Sequence, residues 1–144
     1  MNLIVKFLQL EEKKKILIIK ATLLLLVVRL WLYFFSFKSI YNFIRKERKN
    51  NDLNTNNTIS KTEVIWSVEA TSNHLPFIST CLIKALAAYI LLSNYNHQSN
   101  IKIGITKPKN NILDAHAWIE SNGEIIMGKN YKLPEYKELE IIKS

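Results

Sequence analysis

Two side chains in this sequence have the types and the order needed for acyl transfer: Cys81, the only cysteine, and His116, 35 residues later. A thiolate is a strong nucleophile and an imidazole can take its proton, then return it to a leaving amine. Ser79 and Thr80 are good N-cap residues, so a helix over Cys81 to about Leu92 places the sulfur in a first turn, where unpaired N–H groups and the positive end of the helix dipole favour negative charge. The Cys81 N–H would also be one oxyanion donor. Lys84 lies one turn along the same face. Ala85 and Ala88 share it and are small enough for a strand to come close.

The strand that carries His116 reads ILDAHAWIE over 112–120. From position 113 it alternates, with Asp114, His116, Trp118 and Glu120 on one face and Leu113, Ala115, Ala117 and Ile119 on the other. Two further strand-like runs flank it, Ile101 to Thr106 and Glu124 to Gly128. Asn122-Gly123 is a strong two-residue hairpin signal joining the second run to the third. A direct two-residue turn puts His116 opposite Lys129, with Ile125, Met127 and Lys129 on its face and no carboxylate among them. Asp114, two residues away on the same face, is then the nearest acid for orienting the imidazole. A backbone carbonyl or an Asn such as Asn130 are the alternatives. Glu120 is four residues along the strand, roughly 13 Å away, too far for a direct bond.

Upstream, Ser60 and Glu63 have capping-box spacing, with Val64, Ile65 and Val68 behind them, which predicts a helix from there to about Ser72. Helices followed by an antiparallel meander make an α+β fold. The sequence divides into a basic hydrophobic helical segment (1–49), an Asn-rich linker (50–61) and a core (62–144). Residues 1–50 hold 11 Lys or Arg against three acids, which gives +8, the whole net charge of the chain. The remainder is neutral and carries no electrostatic footprint for nucleic acid. One Cys and three scattered His show no metal-ligand spacing, and no cofactor motif is visible. Trp66 and Trp118 read as core aromatics, and the acidic stretch Glu135 to Glu140 as solvated surface.

Ala21 to Phe37 is apolar on nearly every side. Its 17 residues fall short of the roughly 20 needed to span a bilayer, and Arg29 interrupts them. Insertion energies of about 3 to 6 kcal/mol from Leu, Val and Phe stand against about 2.5 to 3.5 for the Arg. A buried or membrane-surface helix and a membrane span both remain open. The single thiol suits a reducing compartment, so the expected location is cytoplasmic, with membrane association through residues 16–37 as a further possibility.

The blocks Leu75-Pro76, Thr80-Cys81-Leu82, Ala85-Leu86-Ala87, Ile103-Gly104-Ile105 and Asp114-Ala115-His116-Ala117-Trp118-Ile119-Glu120, with Gly123 and Gly128, resemble the lasso-peptide leader peptidases, in the split form without a fused leader-binding domain. The resemblance implies a transglutaminase-like or papain-like core with the order Cys then His. It also implies a cysteine peptidase that removes the leader from a ribosomally made precursor, working with a winged-helix leader-binding protein and a lasso cyclase. Cys81 matches that family's nucleophile and His116 its general base. The family's acid, an Asp about 12 residues beyond the His, falls on Gly128 and is missing. A catalytically inactive scaffold that presents peptide to a cyclase, or a membrane-anchored interaction protein, are the rival expectations.

Overall fold

A computed structural model describes residues 2–36, 38–40, 42–43, 46, 59–75, 80–106, 114–129 and 137–138. The N-terminal segment is two helices, α1 (Leu3–Leu8) and α2 (Glu12–Phe34). Leu17, Ala21, Leu25 and Val28 recur at three- and four-residue steps along α2 and are buried. That stripe packs α2 against both α3 (Lys61–His74) and α4 (Cys81–Asn94). Burying Leu17 and Leu25 is worth about 1.5 to 3 kcal/mol each, so α2 is held by the same core as the thiol-bearing helix.

Helix α3 starts at the expected capping box: the Glu63 N–H donates to Ser60 Oγ (3.2 Å) and the Ser60 N–H to Glu63 Oε2 (2.8 Å). It runs two residues beyond the expected end. Its buried hydroxyls are satisfied by helix carbonyls, Ser67 on Val64 and Thr71 on Ser67. Helix α4 is capped by Thr80, whose hydroxyl accepts from the Ile83 N–H. Ala85, Ala87 and Ala88 are fully buried in it. With no bulk beyond a methyl, they let α4 lie close on the sheet.

The strands are β1 (Asn100–Thr106), β2 (Asp114–Ser121), β3 (Glu124–Met127) and β4 (Lys137–Glu138), in the antiparallel order β3-β2-β1-β4. The observed fold class is α+β. Residues 112 and 113 lie outside the described ones. β4 was not anticipated: Lys137 and Glu138, read as solvated acidic tail, pair with Ile105 and Gly104. Asn122 (φ +52°) and Gly123 (φ +80°) make the expected two-residue hairpin, with both residues left-handed as this turn type requires.

The register beyond that turn differs from expectation. Ser121 pairs with Glu124 and Glu120 with Ile125, but Ile119 then pairs with Met127, so Ile126 is an extra residue on β3. A bulge of one residue moves everything beyond it to the opposite face. Met127 is therefore not on the His116 face of the sheet; it pairs with Ile119 and is buried.

Candidate active site

Cys81 occupies the first position of α4, half-buried at the edge of the core. The α-helix leaves its first N–H groups without intrahelical acceptors, so they point out beside the sulfur. His116 sits mid-way along β2, opposite Gly104 of β1, which puts no side chain next to the imidazole. Both residues line one cleft of about 390 Å³, together with Glu69, Lys84, Ala117, Lys129 and the run Ile125 to Gly128 at the end of β3.

His116 is fixed on two sides. Its Nε2 lies 2.7 Å from the Gly128 carbonyl oxygen. A carbonyl only accepts, so Nε2–H is the donor, and the neutral ring carries its lone pair on Nδ1. The imidazole also stacks on the Trp118 indole, with centroids 6.2 Å apart and planes at 19°. Trp118 is 6% exposed and its Nε1–H donates to Glu120 Oε1 (3.0 Å). Glu120 thus holds the ring that supports the histidine.

Gly128 stands where the resemblance expects an acid, and the structure shows why none fits. Its φ is +81°, and a Cβ there would lie 2.9 Å from the Ala117 carbonyl oxygen and 3.0 Å from Trp118 Cα. The bulge at Ile126 brings this backbone against β2, so the position offers an oxygen from its main chain instead of a side chain. Asp114 opens β2 opposite Thr106; its side chain lies outside the described residues, as does Asn130.

Other expectations change. Trp66 is 37% exposed and lines a second, apolar groove between α1, α2 and α3, so it is not a core aromatic. His74 faces that groove too, its Nδ1 against the Ala70 carbonyl (2.7 Å), away from the Cys81 cleft. His97 has a structural role with no local sign in its neighbouring residues: its Nε2 meets the Ile59 carbonyl (2.8 Å) and ties the chain before α3 to the loop after α4. Glu69 on the cleft wall was also missed; a carboxylate at i+6 from Glu63, on a helix whose packing partner is unknown, carries no signal of its own. Among the described residues no three His, Cys, Asp or Glu side chains cluster as metal ligands would.

Helix, thiol, strand and imidazole occur in the order of a known thiol-enzyme fold, and residues 23–140 match the family described as the transglutaminase-like superfamily. The chain belongs to the transglutaminase-like superfamily. The superfamily includes cysteine peptidases, and the match covers the C-terminal half of α2 as well as the cleft. Neither the curated proteins nor the solved structures gave a match.

Proposed function

We propose that the protein is a cysteine peptidase that removes the leader from a ribosomally made lasso-peptide precursor. The observation that carries the chemical part is the shared cleft: the residue at the helix head bears the thiol, and the imidazole of His116 donates from Nε2 to a main-chain carbonyl, so that Nδ1 is the base in this reading. The resemblance of the Cys-Leu and Ala-His-Ala-Trp blocks carries the substrate.

The Cys81 thiol passes its proton to His116 Nδ1, and the sulfur attacks the carbonyl at the leader-core junction. The oxyanion is met by N–H groups at the head of α4. The imidazolium returns the proton to the departing amine of the core peptide, which leaves a thioester to the leader. Water, giving a proton to Nδ1, then attacks the thioester; the leader leaves as a free acid and the thiol is restored. Throughout, Nε2–H stays on the Gly128 carbonyl, which orients the ring and stabilises its charged form, the part an acidic third residue plays elsewhere.

A cleft of about 390 Å³ suits the scissile bond and its flanking side chains better than a long leader. Recognition of the leader is therefore assigned to a winged-helix partner that tethers it and raises its effective concentration, with a cyclase using the released core. The setting for these steps is the cytoplasm. The inactive-scaffold alternative rested on the missing acid, and the Gly128 carbonyl supports the active reading.

The test is mass spectrometry of a precursor peptide incubated with the full-length protein and a leader-binding partner under reducing conditions. Cleavage at one bond, lost in Cys81→Ala, is the expected result. No cleavage by the unmutated protein overturns the proposal.

A further inference from the structure

The outer face of α2 is apolar where a water-facing helix is polar. Ile16, Ile19, Leu23, Leu26, Leu30 and Phe34 follow at three- and four-residue steps, each between 38% and 71% exposed. The stripe they form is about 27 Å long at about 1.5 Å per residue. By helical geometry Lys13 and Lys20 flank it on one side, and Lys15 and Arg29 on the other.

Three occupants could cover such a stripe, and two meet specific obstacles. A second copy would bring two segments of net charge +8 face to face. Spanning a bilayer is within reach of the length and apolarity of the 23-residue α2 taken alone. It would, however, require stripping Leu17, Ala21, Leu25 and Val28 from α3 and α4. An anionic lipid surface meets neither obstacle. It takes the apolar stripe into the acyl boundary, lets Lys13, Lys15 and Arg29 reach phosphate headgroups while Lys20 stays on the Tyr95 hydroxyl, and leaves the inner face packed. We infer that α2 lies along an anionic bilayer surface, holding the folded domain there as a peripheral protein.

The inference is independent of the peptidase reading, because lipid binding needs neither peptide nor thiol. Sedimentation of the full-length protein with vesicles of phosphatidylcholine, with and without phosphatidylglycerol, tests it. Binding is expected to be stronger on the phosphatidylglycerol vesicles and to weaken with salt. Leu23→Gln with Leu30→Gln should lower the partition coefficient about tenfold or more on both vesicle types at an unchanged melting temperature, since both side chains point outward. Lys15→Gln with Arg29→Gln should lower it about tenfold on anionic vesicles only. Cys81→Ala should bind as the unmutated protein does. Any of four results overturns the inference: no vesicle binding, equal binding by the Leu variant, a stripe-dependent dimer in light scattering, or membrane retention that resists carbonate extraction.

Discussion

Two glycines of nearly equal φ, Gly123 at +80° and Gly128 at +81°, allow a controlled test of what holds His116. An alanine at Gly123 would meet nothing within 4 Å, so it carries only the left-handed backbone cost, about 1 to 2 kcal/mol. An alanine at Gly128 carries the same cost and must also push its Cβ away from Ala117 and Trp118, adding about 1 to 3 kcal/mol of overpacking. At about 3 to 4 °C per kcal/mol, thermal denaturation should show a drop of about 3 to 8 °C for Gly123→Ala and about 6 to 20 °C for Gly128→Ala. The activities should diverge further. Moving the Gly128 carbonyl by a few tenths of an ångström up to about 1 Å misplaces the imidazole and should lower peptide turnover by up to about 100-fold, while Gly123→Ala turns over normally. Gly128→Asp, which supplies the acid that the resemblance expects, should be no better than Gly128→Ala, because the same Cβ contact precedes any benefit of the carboxylate. Equal melting losses for the two alanine variants, or higher turnover in Gly128→Asp, would refute the packing and orientation assigned to this backbone.

Trp118→Phe keeps a ring under His116 but loses the bond to Glu120, and steady-state kinetics should show about tenfold lower kcat, or ~1.4 kcal/mol, with the cleft intact. Ser60→Ala removes the α3 cap and should cost about 1 kcal/mol in urea denaturation. The Ser60 backbone N–H, followed by its hydroxyl and the ammonium groups of Lys13 and Lys14, holds the Glu63 carboxyl below the ordinary carboxylate range despite some desolvation. Its folded value being depressed, this contribution is present above the unfolded value of about 4.3 and is lost as pH falls through the lower folded one. The stability gap between the unmutated protein and Glu63→Gln should accordingly be full at neutral pH and close in acid. His97→Ala frees the Ile59 carbonyl and should cost about 1 kcal/mol, with faster proteolysis around residue 59 as the readout.

Local signals carried much of this architecture. Thr80 and the Ser60/Glu63 pair mark the starts of α4 and α3, and Asn122-Gly123 marks the hairpin, because each acts through hydrogen bonds or dihedrals within a few residues. The placements of Cys81 and His116 were readable for the same reason: one follows a cap and the other sits in an alternating strand. The bulge at Ile126 was not read, although Ile125-Ile126-Met127 breaks the two-residue alternation and is its one local trace. That single residue decides which face Met127 and Gly128 take. The partner at His116 Nε2 is a main-chain oxygen, so no residue type could announce it. Trp66, Glu69 and His97 depend on which helices and loops become neighbours, and local patterns do not specify that.

The central claim is that His116 activates Cys81 within their common cleft. It is tested most directly by the rate at which iodoacetamide alkylates the native protein's one thiol at neutral pH, with and without the imidazole. A fall of about tenfold or more in His116→Ala, with the fold intact by circular dichroism, is the predicted result, since the thiolate is the reacting species. Equal rates in the two proteins would contradict it.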